Sequence, residues 1–300
     1  MLYITQTALE LGCIYSLVGL ALFISYRILN IADLTTDGCF VLGMAVSVIS
    51  AASGHPAAGL VLAIAAGACA GCMTALLQTR LGVPAILAGI VTNTGLYTIN
   101  LMVMGWSSNA SLLKSTTVFT LFKQTGIGGR WYTVILGAGI SLLCMCFVKW
   151  FLSTRLGLSI RASGDNMAMV SSSSINPKHT ILIGLTLANC FTALSGALAG
   201  QLQKSADINA GTGIVVIGLA CLIIGETLVQ GRRSITRNII ACLVGNLVYR
   251  FLYAGILMTR IIPIECLKLM TALIVAIAIA APTIRQNIAE TERARRESRC

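Results

Sequence analysis

The chain has 300 residues, of which 56% are hydrophobic and only 10% charged, and its mean hydropathy is +0.87. A soluble domain carries about 25% charged residues, so this composition excludes a water-soluble globule and predicts that lipid covers most of the surface. The net charge of +11 does not indicate nucleic-acid binding, because five arginines fall within 285–299 and most other cations flank apolar runs.

Nine apolar runs in chain order predict an all-α, polytopic transmembrane helical bundle that forms a single domain over residues 1–300. A spanning helix needs about 20 apolar residues. The second and seventh runs are shorter, so we expect either one to be re-entrant or paired with a broken neighbour. The expected count is therefore about eight to ten spans with a broken second helix. The runs are 2–24, 39–52, 57–79, 83–104, 132–152, 179–201, 213–229, 237–256 and 265–282.

A polar segment, Asn30–Gly38, lies between the first two runs and contains Asp33, Thr36 and Asp37. Acidic residues inside a membrane protein are costly and mark functional sites by default. Non-helical backbone at membrane depth survives only against protein or a water-filled cavity, and transporters place such breaks at the translocation path. The segment therefore predicts a pathway or gate. A plain cytoplasmic turn with Asp33 or Thr36 as a helix N-cap is the alternative.

A second polar group lies within the fourth run, where Asn93, Tyr97 and Asn100 share one helix face at helical spacing. These side chains either line the pathway or bridge neighbouring helices. Glu226, at the end of the seventh run, is expected either to pair with an arginine at the inner interface or to line a lower gate. The pairs Gly67/Gly71 and Gly196/Gly200 predict close helix packing.

The distribution of lysine and arginine predicts the orientation. With the C-terminus in the cytoplasm, fourteen of the 21 cations fall on cytoplasmic segments, which satisfies the positive-inside rule. Nine spans then place the N-terminus outside, and 283–300 becomes a basic cytoplasmic tail. The largest inner segment, 153–178, contains an amphipathic stretch from Ile160 to Val170, which predicts a short helix parallel to the membrane. Pro177 is expected to begin the next span.

Motifs for chemistry within the chain are absent from the sequence. There is no GxxxxGKS/T, HExxH or GxSxG pattern, so we expect no catalytic residues. Most of the eleven cysteines lie inside apolar runs, and the CxxC of Cys69 and Cys72 has no His or acid beside it. We expect packing residues there and no metal site.

Several stretches resemble permeases of the branched-chain amino acid type from ATP-binding cassette (ABC) importers. Leu11–Gly43 resembles the opening helix of that family and its RVINFAHGDFMMLG-like segment, with Thr35-Thr36-Asp37 in place of His-Gly-Asp. The stretch TRLGLSIRASGDNMAMVSSSSINP is similar to the family's coupling segment, with Ser174 in place of the Gly of a final GIN. Residues 211–231 resemble the subgroup associated with tryptophan or tyrosine uptake.

The resemblance implies a type II-like permease in the inner membrane of a bacterium. It implies a second permease copy, as a homodimer, two ATPase subunits and an extracellular or periplasmic binding protein. No cofactor would bind directly, because ATP-Mg would sit on the ATPase partner. Segment 153–178 would dock on that partner and drive alternating access. Its expected coupling residues are Arg155, Arg161, Asp165, Met169 and Asn176.

Three alternatives to an amino acid permease stay open. One is an ion-coupled secondary transporter in which Asp33 or Asp37 binds the coupling ion. Another is an ABC permease for a nucleoside or simple sugar, since such permeases share the architecture more distantly. A membrane scaffold without transport is disfavoured by the polar break.

Overall fold

The structure, a computed structural model, describes residues 2–112, 115–124, 126, 129–173, 175–229 and 234–258, with 272, 273, 276 and 280. Most of these residues are helical, because in lipid an apolar segment has to satisfy its backbone hydrogen bonds internally. In chain order the helices of the described part are α1 Leu2–Leu22, α2 Thr36–Ala52, α3 Pro56–Thr79, α4 Ala85–Val103, α5 Val118–Gln124, α6 Tyr132–Ser153, α7 Arg155–Asp165, α8 Met167–Ser172, α9 Pro177–Gln203, α10 Ile214–Val229 and α11 Ile235–Met258. Two strands, β1 Asn109–Ser111 and β2 Ser205–Asp207, pair antiparallel.

Six helical segments in the described part are long and apolar enough to cross a membrane. They contain α1, α3, α4, α6, α9 and α11, and the two helices α2 and α10 are apolar but have only 17 and 16 residues. The polytopic helical fold is thus confirmed, and the two runs that the sequence marks as short are short helices. The ninth run, 265–282, lies mostly outside the described residues, and the basic tail 283–300 lies entirely outside them.

Helix α1 does not end as a regular α-helix. Its last turn, Phe23–Ile28, is π-helical, and Leu29 donates its N–H to the Ile24 carbonyl at 3.0 Å. Asn30 then adopts a left-handed conformation with φ 56°, which Asn tolerates better than most residues. Thr36 begins helix α2. The predicted segment Asn30–Gly38 is thus non-helical up to Thr35, and its last three residues are helical.

Helices α2, α3 and α9 form the centre of the bundle because glycines let their backbones touch. A Cβ on Gly43 would overlap the Ala193 carbonyl oxygen, and a Cβ on Gly196 would overlap that of Phe40. A Cβ on Gly67 would lie 2.6 Å from the Asn189 carbonyl oxygen, and a Cβ on Gly71 would lie 2.7 Å from the Leu185 carbonyl oxygen. A Cβ on Gly200 would lie 2.7 Å from Met44 Cγ. The prediction that the pairs Gly67/Gly71 and Gly196/Gly200 mediate close packing is confirmed.

The bundle has two distinguishable ends. We call the end that carries α7 and α8 the coupling end and the end that carries β1 and β2 the sheet end. Helix α9 runs from the coupling end to the sheet end, and its 27 residues span about 40 Å at 1.5 Å per residue. Asn189 lies near its middle, so residues packed on Asn189 lie deep between the two ends.

The inner segment forms two helices, and the prediction of one helix from Ile160 to Val170 is wrong in this respect. Asn166, with φ −155° and ψ 102°, separates α7 from α8. Its side chain accepts a hydrogen bond from the Met169 N–H at 3.1 Å. Asn favours such N-cap positions over helix interiors, which explains the interruption. Pro177 begins α9 as predicted.

Candidate functional site

Asp37 joins the N-termini of two short helices. It lies in the first turn of α2, and its carboxylate accepts the N–H of Gly213 at 3.1 Å and the N–H of Val215 at 2.9 Å, at the start of α10. A Cβ on Gly211 would overlap the Asp37 carbonyl oxygen, so the chain before α10 passes directly over α2. Both helix dipoles and both amides favour the carboxylate charge at this place.

A polar groove of about 400 Å³ opens beside this carboxylate. Its walls come from the start of α2, from one face of α4 and from the segment between β2 and α10. Asp37 is the one charged residue in the lining, and its two oxygens are engaged by amides. The other polar groups of the lining are hydroxyls and amides. The lining residues are Asp37, Gly38, Val41, Asn93, Thr94, Tyr97, Thr98, Asn100, Ile208, Asn209, Gly211 and Thr212.

The three polar residues predicted on α4 all lie in this lining, but they differ in environment. Asn100 is 1% exposed and donates from Nδ2 to the Gly38 carbonyl at 3.1 Å, so it also bridges α4 to α2. Tyr97 is 51% exposed. A Cβ on Gly38 would overlap Asn93 Oδ1, so this glycine lets α4 approach. The pathway role of these three residues stays a prediction.

Asp33 lies outside the groove, in the protein interior. It is 2% exposed, its Oδ1 accepts the Thr35 N–H at 2.9 Å, and its Oδ2 accepts from Asn189 Nδ2 at 2.7 Å. Beside Asp33, the hydroxyls of Thr35 and Thr74 form a hydrogen bond of 2.9 Å. Since Asn189 lies deep in α9, Asp33 lies deep as well, and the alternative of a plain turn at the water interface does not describe it.

The remaining predicted residues of the break have other positions. Thr36 is buried and donates its hydroxyl to the Asp33 carbonyl at 3.1 Å. Asn30 is exposed, at the left-handed turn that ends α1. The helix α2 N-cap position is Thr35, without a side-chain cap, so neither Asp33 nor Thr36 is the N-cap.

Glu226 lies at the coupling end, far along α10 from Asp37. Its Oε1 accepts from Arg27 Nε at 2.9 Å, with the two side chains 21% and 44% exposed. The expectation of an arginine partner is met by Arg27 of the π-helical turn. Arg232 and Arg233, which follow Glu226 in the sequence, lie outside the described residues.

The five predicted coupling residues lie on the inner segment at the coupling end. Arg155, Asp165, Met169 and Asn176 are exposed, and Arg161 is half-buried. Asn176 caps α9 by accepting the Lys178 N–H at 3.0 Å. The segment also exposes apolar side chains, with Met169 68% exposed, and Leu156, Leu158 and Met167 47–53% exposed.

Some site residues are not singled out by the sequence. Asn209 of the groove belongs to a connection without a marked pattern, and Thr212 lies in the stretch 211–231 but is not predicted as a site residue. Asn189 lies near the middle of the long apolar helix α9, and an amide at such a position is a signal that could have identified it. Within the described residues, no three His, Cys, Asp or Glu side chains are grouped as metal ligands.

Comparison with known sequences relates the chain to membrane permeases. The sequence model of the branched-chain amino acid transport system permease component matches residues 4–281. The tyrosine transport system permease protein of Clostridioides difficile R20291 is 30% identical over 279 residues, which cover 93% of this chain and 91% of that protein. An uncharacterized protein of Rickettsia prowazekii is 32% identical over 92% of this chain and 96% of its own length.

More distant similarity reaches permeases with other substrates. The ribose import permease protein RbsC of Escherichia coli K12 is 28% identical over 65% of this chain and 59% of its own length. The autoinducer 2 import system permease protein LsrC of Escherichia coli HS is 30% identical over 56% of this chain and 48% of its own length. No solved structure gives a significant match.

Proposed function

The chain belongs to the family of permease components of branched-chain amino acid transport systems, and from that premise we propose that it imports an aromatic amino acid, with tyrosine as the first candidate. The family is one of ABC transporter permeases rather than enzymes. We assign ATP hydrolysis to separate ATPase subunits. The observation that carries the choice of tyrosine is the 30% identity to a tyrosine permease over 93% of the chain.

The polar groove is our candidate for the translocation path. Polar side chains at membrane depth line pathways, and discontinuous helices meet at the substrate sites of many transporters. Here the short helices α2 and α10 meet at Asp37. Because hydroxyl and amide groups surround this single carboxylate, which two backbone amides already bind, the path suits a solute without net charge, such as a zwitterionic amino acid.

A second copy of the chain would complete this path. The groove opens on α4, whose Ile86, Leu87, Ile90, Val91 and Tyr97 are about half exposed. An open groove in lipid would leave the polar groups of Asn93 and Thr94 without water. A partner face across α4 would enclose them. A homodimer is the simplest arrangement that supplies such a face.

The exposed side chains of α7 and α8 are our candidate surface for the ATPase. Leu156, Leu158, Met167 and Met169 present apolar area beside the charged Arg155 and Asp165. An apolar patch rimmed by charges is typical of a protein-binding surface. We place this surface in the cytoplasm and the N-terminus outside, following the distribution of cations. The binding protein would then deliver substrate at the sheet end.

Uptake of radiolabelled tyrosine by bacterial cells with and without this chain tests the proposal. We expect uptake that depends on the chain, falls on ATP depletion and survives collapse of the proton and sodium gradients. Uptake that follows the gradients instead would indicate the secondary transporter. Copurification of an ATPase with the tagged chain is the second measurement, and its absence would contradict the ABC assignment.

A sugar-type substrate is the second candidate, because the ribose and autoinducer 2 permeases also match. Hydroxyl and amide groups of the groove would suit such a solute equally. Competition decides between the two. An excess of unlabelled phenylalanine or tryptophan lowers tyrosine uptake if the system takes aromatic amino acids, whereas chain-dependent uptake of ribose with no uptake of tyrosine favours the sugar.

A further inference from the structure

Helix α7 touches the end of helix α1 at a place where only glycine fits. A Cβ on Gly164 would overlap the carbonyl oxygen of Ile28 and would lie 3.1 Å from the Cα of Leu29. Both contacts are with backbone, which cannot rotate aside as a side chain can. The inner segment therefore packs directly against the π-helical turn at Gly164, with no side chain between the two backbones.

The same turn is packed tightly on its other sides. Leu29 is 3% exposed and forms an apolar cluster with Ile160 of α7 and Ile181 and Leu185 of α9. A Cβ on Gly184 would lie 2.5 Å from Leu29 Cδ1. Close-packed contacts of this kind transmit displacement rather than absorb it. Movement of α7 would therefore move Ile28 and Leu29.

Helix α7 is also tied to the start of α9. The hydroxyls of Ser163 and Thr180 lie 2.7 Å apart, and both residues are buried. Gly164 follows Ser163 directly, so the contact with Ile28 is held at a fixed distance from α9. A larger residue at 164 would force either the hydroxyl pair or the turn to shift.

The residues on the two sides of the break hold the two ends of α10. Arg27, beside Ile28, pairs with Glu226 near the C-terminus of α10 at 2.9 Å. Asp37, after the break, accepts the N–H groups of Gly213 and Val215 at its N-terminus. A displacement of segment 27–37 therefore acts on both ends of α10. The N-terminus of α10 borders the polar groove.

We propose that Gly164 is a positioning residue through which α7 moves segment 27–37, and with it α10 at the polar groove. The proposal rests on the proposed function, in which the inner segment receives the movement of an ATPase. The absence of a side chain at 164 allows direct backbone contact, so that displacement of α7 reaches the π-helical turn without loss. A side chain there would separate the two and uncouple the groove from the ATPase.

The test compares Gly164→Ala and Gly164→Val with Gly139→Ala, since a Cβ on Gly139 of α6 would meet nothing within 4 Å. Tyrosine uptake, copurified ATPase and ATP hydrolysis are measured on the full complex in native membranes. We expect Gly164→Ala to lower uptake about tenfold, within the about 5- to 150-fold range of ordinary coupling free energies. ATPase copurification and hydrolysis persist. Uptake within about twofold of the unsubstituted chain overturns the proposal.

A readout without substrate separates this proposal from the choice of tyrosine. Thr212 is exposed in the groove just before α10, and labelling of Thr212→Cys by a membrane-impermeant maleimide is compared with and without ATP and vanadate. The chain without Thr212→Cys supplies the background from native cysteines. We expect a nucleotide-dependent change that Gly164→Ala abolishes and Gly139→Ala retains. The same change in all chains overturns the role of Gly164, whether or not tyrosine is the substrate.

A second variant keeps the test decisive if Gly164→Ala does not fold. Glu226→Gln removes the charge that holds Arg27 and preserves the shape of a side chain that is 21% exposed. We expect it to reduce the nucleotide-dependent labelling at position 212 while the complex still assembles. If nucleotide changes the labelling at position 212 as much in the Glu226→Gln chain as in the chain with Glu226, α10 is not moved through segment 27–37.

Discussion

Arg27 and Asp37, which flank the break after helix α1, hold opposite ends of the same helix, α10. Arg27 reaches Glu226 through Nε at 2.9 Å, and Asp37 accepts the Val215 N–H at 2.9 Å. The two contacts link the residues that flank the break to both ends of α10, one at the coupling end and one at the polar groove. Two residues ten positions apart in the sequence thereby connect the surface of the inner segment with the candidate path.

Replacing Asp37 tests the contact at the groove. Asp37→Ala removes both acceptors of the α10 amides, and loss of a helix cap costs about 0.5–2 kcal/mol. We expect a lower melting temperature in detergent and tyrosine uptake reduced about tenfold or more, since coupling across the groove depends on this contact. Asp37→Asn keeps one oxygen acceptor, so its effect is smaller in both measurements.

For the melting temperature alone, the control for Asp37→Ala is Asp165→Asn, which changes a carboxylate that is exposed on α7. It is expected to leave the melting temperature unchanged, because surface substitutions usually stay within about 0.5 kcal/mol. If Asp37→Ala leaves both melting temperature and uptake unchanged, the contact with α10 has no part in stability or transport.

Exchanging the charges of Arg27 and Glu226 tests the contact at the coupling end. Both side chains are partly exposed, so the pair contributes little to stability, about 0–1 kcal/mol. We expect Arg27→Glu and Glu226→Arg, each alone, to lower uptake while the melting temperature barely changes, because each places like charges together. The double exchange restores the attraction and recovers uptake. A double variant that is as inactive as either single one would refute the pairing.

Local sequence predicts the helices and the break but not the contacts between distant residues. Asp33 and Asp37 stand out because they are acidic between apolar runs, which is a local signal. Asp33 meets Asn189 156 positions along the chain, and Asp37 meets Gly213 176 positions along it. Such pairs are set by how glycines let α2 approach α9 and the chain before α10, and a single sequence does not encode that arrangement in any short pattern.

The inner segment shows the same limit at a smaller scale. Its amphipathic pattern predicts a helix, and Ile160 and Val170 are indeed buried while Met167 is exposed. Asn166 can either cap a new helix with its side chain or lie inside a continuous helix. The apolar spacing is compatible with both arrangements, so it does not predict the interruption. The contact of Gly164 with Ile28 also escapes prediction, since one glycine in a polar stretch usually indicates flexibility rather than close packing.

Asp33 is a buried acceptor, and its replacement by Asn is expected to be mild. Asn at position 33 keeps one oxygen acceptor, and Asn189 Nδ2 also donates to the Leu185 carbonyl at 3.0 Å, so only one hydrogen bond of Asp33 is lost. We expect Asp33→Asn to change stability by about 1 kcal/mol or less. Asp33→Ala leaves the Thr35 N–H without its acceptor and leaves Asn189 Nδ2 with the Leu185 carbonyl alone, which costs about 1–3 kcal/mol.

Melting temperature in detergent and tyrosine uptake measure the two Asp33 variants. We expect Asp33→Ala to lower uptake while the ATPase still copurifies, because the coupling surface lies elsewhere. Asp33→Asn provides the internal control for side-chain size. If Asn destabilises the chain as much as Ala, the carboxylate charge itself is required at this site, which would favour a bound cation or a proton in the mechanism.

Met169 tests the apolar surface of the inner segment. It is 68% exposed, so Met169→Glu costs the permease itself little, and surface changes usually stay within about 0.5 kcal/mol. If the ATPase packs on this side chain, a buried unpaired carboxylate weakens the complex by about 2 kcal/mol or more. We expect less copurified ATPase, slower uptake and an unchanged melting temperature of the isolated chain.

Met169→Leu, which retains the apolar area, serves as the control and is expected to bind the ATPase normally. Charge reversal at Asp165 on the same surface is expected to separate ATP hydrolysis from uptake in proteoliposomes. Normal transport by both Met169→Glu and the Asp165→Lys chain would show that this face of α7 and α8 is not the ATPase contact.

The packing of α2 on α9 leaves no room for a single methyl group at Gly196. A Cβ on Gly196 would overlap the Phe40 carbonyl oxygen and lie 3.2 Å from the Met44 nitrogen, so neither helix can accommodate it without separating. We expect Gly196→Ala to lower the free energy of unfolding by roughly 1–3 kcal/mol, as overpacking usually does. Gly139→Ala, where a Cβ meets open space, is the matched control and is expected to be neutral or slightly stabilising, because Ala favours helix over Gly. Equal melting temperatures of the two variants would show that α2 and α9 do not approach as closely as these glycines imply.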